Sequence, residues 1–269
     1  PTILVAGPRS LPASRDYIKR YSRVTHSLED LLFDSWIRTA TSDIEASTWR
    51  QLVTATYEHV RDTFPCSIWR LPKAPFRKLL SIRYLDDAGV ERTLDPSVYR
   101  VVRQGESEPG LIELAYGQSW PTTYPVIGAV RARFIGGYAT PFTADASTDE
   151  LAAPGHPYVE GDLVRLSTSD GDLPSPLSRD RDYYAVNVVE GVSLKLSESA
   201  GGAPIDIEDA GSGLNFLGVI PDPLLHAIAL LVRNFDEHRE PVITGTIVAE
   251  MPMSVRALIS PYSLEGRHA

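Results

Sequence analysis

The stretch LLVRNFDEHREPV, residues 230–242, gathers side chains of the types that bind metals or transfer protons. They are Asp236, Glu237, His238 and Glu240. On a helix, neighbours on one face are three or four residues apart, so consecutive residues point in different directions and cannot share a metal ion. The spacing predicts instead an ion pair between Arg233 and Glu237 and a hydrogen bond between Asn234 and His238. We interpret the stretch as the polar end of a packed helix.

The other chemistry-bearing residues also lack a catalytic or metal-binding spacing. A metal-binding pair on a helix needs a spacing such as i and i+4, whereas His226 and His238 are twelve residues apart. No glycine-rich phosphate loop, nucleophile elbow or zinc-binding helix motif occurs. Cys66 is the only cysteine, which excludes an internal disulfide. The sequence therefore predicts no catalytic residue, no metal and no cofactor. A metal-dependent enzyme is kept as an alternative, and elemental analysis would test it.

The composition is that of an ordinary globular protein. The chain has 269 residues, of which 43% are hydrophobic and 23% charged, enough for one large domain or two small ones. No apolar run is long enough for a membrane span, and the first residues do not resemble a signal peptide. We therefore expect a soluble protein that is made in the cytoplasm and has no membrane partner.

Charge is distributed unevenly along the chain. Residues 139–220 contain fourteen acidic and four basic residues, a formal charge of about −10, whereas the whole chain carries −9. This difference predicts an acidic segment within a neutral core. Residues 1–26 are locally basic, and we interpret them as an N-terminal arm that is either solvated or wrapped around a neighbouring subunit.

The hydrophobic pattern predicts helices at both ends of the chain and strands between them. We expect helices over residues 25–38 and 42–65, a long helix over 222–240 and a short one over 254–262. Between Ser67 and Tyr138 the pattern alternates, which predicts one antiparallel sheet. Two N-terminal helices, a sheet and two later helices define an α+β fold.

These elements, in this order, resemble the phage head-tail connector, or adaptor, family, which includes the adaptors of gene transfer agents. The similar phrases are ATYEHVRDTF, IWRLPKAPFRKLLSIRYLDDAGVERTLDPSVYRV, GQSWPTTYPVIGAVRARFIGGYA, PLLHAIALLVRNFDEHREPVITG and MPMSVRALISPY. They cover most of residues 28–139 and 220–262. The resemblance implies a connector core formed by residues 27–139 and 220–269.

Residues 140–219 depart from this family, whose members pass almost directly from the GGY strand to the last long helix. The alternating runs LVRLS, YYAVNV and SLKLS, separated by turn residues, predict an inserted all-β module. An alternative function, receptor or carbohydrate binding, would use the aromatic side chains of this insert. They are Tyr158, Tyr183, Tyr184 and Phe216.

The resemblance implies a structural role in a virion. The protein would form a ring, a dodecamer, below the portal protein at the head-tail interface and prolong the DNA channel. It would offer a docking surface to the next head-completion, stopper or tail protein. DNA would pass through the ring without sequence-specific binding.

The segment after Pro241 is the candidate portal-binding region, because its apolar residues and prolines suit an extended arm that becomes ordered on a partner. Its candidate residues are Ile243, Ile247, Val248, Met251, Met253, Leu258 and Tyr262. The long helix is complete before this segment, so the core is expected to fold without it. Trp69, Tyr84 and Trp120 are either ring contacts or core residues.

Overall fold

The computed structural model describes residues 1–103, 108–238 and 252–264. These residues form an α+β structure with four α-helices and fourteen β-strands. The chain divides into two compact units. Unit 1 comprises residues 1–8 and 54–138, and unit 2 comprises residues 9–53 and 139–269.

Unit 1 is built on a five-stranded antiparallel sheet. Its strands, in pairing order, are β1 (Thr2–Ala6), β2 (Ala55–Arg61), β8 (Val130–Gly136), β4 (Phe76–Leu85) and β5 (Glu91–Thr93). In β8, Val130, Ala132 and Phe134 are buried whereas the intervening Arg131 is exposed. The sheet therefore has one core face and one face that carries charged residues.

A second sheet of three strands completes unit 1. Its pairing order is β3 (Trp69–Arg70), β7 (Gly110–Leu114) and β6 (Tyr99–Arg103). The prediction of one sheet between Ser67 and Tyr138 is therefore wrong, since these strands do not join the five-stranded sheet. At Gly110 a Cβ atom would lie 2.5 Å from the Phe76 ring, so only glycine fits there. Cys66 lies exposed between β2 and β3.

Residues 55–61 correct the helix that the sequence predicted over residues 42–65. They form β2, which pairs with β8 in unbroken register from Ala55 opposite Gly136 to Arg61 opposite Val130. Tyr57 and Val60 lie on opposite faces of β2, yet both are buried. Because residues on both faces are buried, apolar and polar residues do not alternate along β2 as they do in a half-exposed strand. The remaining spacing of apolar residues resembles that of a helix.

Unit 2 contains all four helices of the described residues, and none of these is long and apolar enough to cross a bilayer. They are α1 (Arg15–Ser22), α2 (Asp30–Thr48), α3 (Asp222–Glu237) and α4 (Met253–Ile259), which continues into a 3-10 turn at Ser260–Tyr262. Both helices predicted near the C-terminus are present, and α3 buries the expected stripe of Leu224, Ile228 and Leu231.

Helix α2 is continuous through the break that the sequence predicted after Arg38. Threonines usually disfavour helix interiors, but here their hydroxyls bond to carbonyls one turn earlier. The Thr39 hydroxyl donates to the Ser35 carbonyl (3.1 Å), and the Thr41 hydroxyl donates to the Ile37 carbonyl (2.7 Å). The helix ends at Thr48, and the next residue, Trp49, has a left-handed φ of 58°.

The interpretation of residues 1–26 as an extension does not hold, because they contain β1 and α1. The Ser14 hydroxyl caps α1 by accepting from the Tyr17 amide (3.0 Å). Ile18 is fully buried. Lys19 and Arg15 pair with Asp30 on α2, at 2.6 and 2.7 Å. The basic residues of α1 therefore form ion pairs within the molecule.

The predicted β insert contains a closed six-stranded antiparallel barrel. Its strands are β9 (Thr140–Asp145), β10 (Glu150–Ala152), β11 (Leu163–Thr168), β12 (Asp182–Val189), β13 (Ser193–Ser197) and β14 (Asn215–Leu217). The barrel closes where β14 pairs with β9, with Leu217 opposite Thr140. Chain entry and exit are thus side by side. That residues 140–219 form a module separable from the core stays a prediction, since barrel and helices share unit 2.

His59 on β2 should make the stability of unit 1 depend on pH. Burial, with the charges of the N-terminus and Arg61 adding, lowers the pKa of His59 from 6.5 to about 4. As the pH falls, the imidazole of His59 binds a proton near pH 6.5 in the unfolded chain and near pH 4 in the folded chain. The stability present above pH 6.5 is therefore lost as the pH falls between these values.

We expect the free energy of unfolding to fall by about 1 kcal/mol more between pH 7.5 and 5.0 in the wild type than in His59→Asn, after allowance for partial exposure. Guanidinium unfolding followed by tryptophan fluorescence measures this difference, because the His59 ring packs edge-on against Trp69 at 6.0 Å. An equal pH dependence in both proteins would contradict the prediction.

Candidate assembly surfaces

The polar cluster at the end of α3 is a helix terminus. Arg233 Nε lies 2.9 Å from Glu237 Oε1, as the spacing predicted. The backbone amide of His238 donates to the Asn234 carbonyl (3.0 Å), and its ring Nδ1 lies 3.1 Å from the same oxygen. Within the described residues, no group of three His, Cys, Asp or Glu side chains is arranged to hold a metal ion.

A polar groove of about 780 Å³ opens in unit 2 between α1, α3 and the barrel loop after β11. Two contacts join α1 to the barrel loop at the edge of this groove. Arg20 forms an ion pair with Asp170, and the Ser14 amide donates to the Ser169 hydroxyl (3.1 Å). Helix α1 is therefore attached to the barrel by side chains at both its ends.

The groove contains charges of both signs. Arg179 and Asp172 line it, and neither forms an ion pair with another described residue. Burial, followed by the negative charge of Asp222, raises the pKa of Tyr17, so this phenol stays protonated and can donate a hydrogen bond. The groove therefore offers hydrogen-bond donors and charges of both signs beside apolar side chains.

The candidate portal-binding residues fall into two groups. Ile243, Ile247, Val248 and Met251 lie outside the described residues. Met253 is 86% exposed at the start of α4, whereas Leu258 is half-buried and lines the groove. Tyr262 is half-buried, and its carbonyl accepts a hydrogen bond from the Arg50 side chain. Among the described candidates, Met253 is the most available to a partner.

The C-terminal helix is not a separate arm. Val255, Ile259 and Leu264 are buried, and the Leu264 amide donates to the Thr48 carbonyl at the end of α2 (3.2 Å). Helix α4 also packs on α3. The expectation that the core is complete without the segment after Pro241 therefore fails for residues 252–264.

Two of the four aromatic residues proposed for carbohydrate binding are buried, and of these only Tyr183 belongs to the barrel core. Tyr183 and Phe216 are buried, with 1% and 2% exposure, and the Tyr183 hydroxyl accepts from the Ser178 amide (2.8 Å). Tyr158 and Tyr184 are half-buried. Two of the four rings are thus inaccessible to a sugar.

The three candidate ring-contact aromatics of unit 1 serve the core. Trp69 is fully buried, and Tyr84 packs against the same cluster. Trp120 stacks on Phe64, with ring centroids 4.8 Å apart. Packing in the core of unit 1 accounts for all three side chains.

The charged face of the five-stranded sheet carries a basic cluster that the sequence interpretation missed. We call it the arginine face, formed by Lys78, Arg83, Arg131 and Arg133. Arg83 and Arg131 stand directly opposite each other on β4 and β8, and their side chains are 40% and 51% exposed. The alternating phrase VRARF was the available signal, since strand periodicity puts both of its arginines on one face.

The fold is that of an α+β chain with two antiparallel sheets and a closed barrel, and chains with a similar fold occur in solved structures of gene transfer agent particles. No family model matches the chain, and neither does any curated protein sequence. A solved structure described as the neck of an empty GTA particle, computed with C6 symmetry, contains a similar chain. It is 17% identical, the match covers 98% of this chain and 95% of that chain, and the TM-score is 0.56.

A chain from the virion of a native gene transfer agent (GTA) particle is also similar. It is 18% identical, the match covers 97% of this chain and 94% of that chain, and the TM-score is 0.54. At these identities the likeness establishes a shared fold. The resemblance to gene-transfer-agent proteins that the sequence indicated is confirmed at the level of the fold. Both matches include the barrel and cover almost the whole of each similar chain, so the expectation that residues 140–219 depart from such proteins does not hold for these two chains.

Proposed function

We propose that the protein is a structural component of the neck of a phage-like particle, without enzymatic activity. Copies form a ring below the portal protein, which prolongs the DNA channel and presents a docking surface to the next neck or tail protein. The observation that carries the proposal is the fold match to a GTA neck chain over 98% of the sequence.

The distribution of charge supports this role. The barrel region holds fourteen acidic and four basic residues, so a ring of copies would carry strongly negative sectors. Acidic surfaces repel the phosphate backbone, which favours passage of DNA over binding. The basic residues of α1 are neutralised by Asp30, Asp34 and Asp170, and do not form a free DNA-binding arm.

Electron microscopy of the protein mixed with purified portal of the same particle tests the proposal. We expect portals capped by one additional ring with twelve-fold symmetry. Portals that remain bare at saturating protein would contradict the proposal.

Met253→Asp should weaken portal binding at least ten-fold, because it places a charge in a candidate apolar contact (~1.4 kcal/mol for each factor of ten). The variant should fold normally, since an acidic residue in the first turn of α4 suits the helix dipole. Surface plasmon resonance on immobilised portal measures the affinity.

Leu28→Asp is the matched control, because Leu28 is 90% exposed and lies outside the helices. It should bind like the wild type. Equal affinity of the Met253 and Leu28 variants would remove α4 from the portal interface.

A further inference from the structure

Within the arginine face, Arg83 and Arg131 form only long ion pairs with carboxylates of the protein. Arg83 and Arg131 are directly opposed, and like charges in this arrangement destabilise a sheet. Their carboxylate partners are distant: Glu91 lies 3.5 Å from Arg83, and Glu58 lies 3.6 Å from Arg131. Both distances exceed those of strong charge-assisted hydrogen bonds.

Arg133 adds an unsatisfied donor to this face. It stands opposite Ser81 on β4 and Glu58 on β2, on the same side of the sheet as Arg131. Its Nε is buried and has no hydrogen-bond acceptor among the described residues. A buried donor without a partner costs about 1–3 kcal/mol. The exposed guanidinium groups on this face that an external carboxylate could reach are those of Arg83 and Arg131.

The chain itself contains a surface of opposite charge. Two neighbouring barrel loops, over residues 170–175 and 205–212, are joined by a hydrogen bond from the Asp172 amide to the Ser212 hydroxyl (2.9 Å). They display the exposed carboxylates of Asp172, Asp206, Glu208 and Asp209. None of the four forms an ion pair with a described basic residue. We call these four residues the acidic loops.

We propose that the arginine face of one copy binds the acidic loops of a second copy, as the lateral contact of the ring. This inference rests on the proposed function, because a ring needs two different, complementary surfaces on each subunit. Arginine is enriched in protein interfaces, where its planar guanidinium group forms bidentate hydrogen bonds with carboxylates. The contact is electrostatic and so should be weak without the portal and sensitive to salt.

A nucleic acid fits the arginine face less well. Glu58 and Glu91 lie among the basic residues and would repel a phosphate backbone. A protein surface can complement such a mixture of charges, because it offers donors as well as carboxylates.

Sedimentation velocity of the free protein at concentrations up to about 1 mM tests the contact. We expect the wild type to self-associate weakly, and this association to weaken as salt rises from about 50 to about 500 mM. Arg83→Glu with Arg131→Glu should reduce association at least ten-fold. Asp172→Lys with Glu208→Lys and Asp209→Lys should do the same.

The decisive sample is a mixture of these two variants. In the mixture, the reversed, acidic face of the first variant meets the reversed, basic loops of the second. The mixture should therefore associate, although neither variant does so alone. Arg100→Glu with Arg233→Glu is the matched control for the arginine variant, because both arginines form exposed ion pairs elsewhere and the change in net charge equals that of Arg83→Glu with Arg131→Glu. It should associate like the wild type.

A structural role of the arginines is tested by Arg83→Gln. Because this change removes a like-charge pair, the melting temperature should stay equal or rise while self-association weakens. A lower melting temperature with unchanged association would assign the arginines to the fold and overturn the proposal.

Two further results would overturn the proposal: no salt-sensitive association of the wild type, or no rescue in the mixture. Arginine-dependent binding of a duplex of about 20 base pairs, with self-association unchanged, would assign the face to DNA instead. These measurements use no portal. Their failure leaves the neck assignment standing, and bare portals in the microscopy experiment leave the lateral contact standing.

Discussion

Truncation of the chain before Pro252 is expected to unfold unit 2 at physiological temperature. It removes Val255, Ile259 and Leu264, whose exposures are 0%, 5% and 0%. Loss of a buried aliphatic side chain costs about 2–5 kcal/mol, and a domain has only about 5–15 kcal/mol of stability. Three such losses, together with the backbone bond from Leu264 to Thr48, should exceed what the unit can tolerate.

Circular dichroism during heating measures the loss of stability on truncation. Single substitutions measure the contribution of individual side chains. Leu264→Ala should lower the stability by about 2–4 kcal/mol, whereas Met253→Ala at an exposed position should change it by less than about 0.5 kcal/mol. A truncated protein that melts at the wild-type temperature would show that α4 is an appendage.

The excised barrel, residues 139–219, is expected to fold on its own. Its six strands close on themselves, so excision leaves no unpaired edge. A core made entirely of barrel-region residues, from Phe142 to Leu217, fills its interior. The β14–β9 pairing keeps the two cut ends together, which limits fraying.

Far-ultraviolet circular dichroism and the cooperativity of denaturation test this prediction. The isolated fragment should give a β-type spectrum and one sharp transition. A featureless spectrum would mean that the barrel needs the helices of unit 2.

The complementary deletion, with residues 140–217 replaced by a short glycine-serine linker, should keep the helices folded but less stable. Helix α1 loses the Ser169 hydroxyl that binds Ser14 and the Asp170 carboxylate that binds Arg20. We expect a loss of about 1–2 kcal/mol from these contacts. Loss of helical signal at room temperature would contradict the view that the barrel is an insertion.

The local sequence pattern was sufficient to predict the helices and strands that have one buried face and one exposed face. Helix α3 packs one face, so its apolar spacing matched the helical period. The barrel strands alternate between core and solvent, and the runs around Val164, Tyr183 and Leu194 predicted them.

Elements defined by distant partners were mispredicted. Strand β2 is covered on both faces and bonded to β8, which local spacing does not reveal. The closure of the barrel depends on pairing between Thr140 and Leu217, far apart in the sequence. The arginine face likewise exists only because a register places Arg83 opposite Arg131.

Helix α1 could have been found from the sequence. Ser14 is a favourable cap, Asp16 lies in the first turn, and Tyr17, Ile18 and Tyr21 have helical spacing. Because residues 1–26 are locally basic, we interpreted them as an arm that is either solvated or wrapped around a neighbouring subunit. Their acidic partners on α2 and the barrel loop are brought near only by folding.

The exposed position of Cys66 offers a way to count subunits optically. Because the chain has no other cysteine, a thiol-reactive dye would mark every copy at one equivalent point. Identical dyes held within a few nanometres exchange excitation, which depolarises the emitted light. The anisotropy of a fully labelled assembly, compared with one diluted by unlabelled copies, would then report how many copies surround the axis.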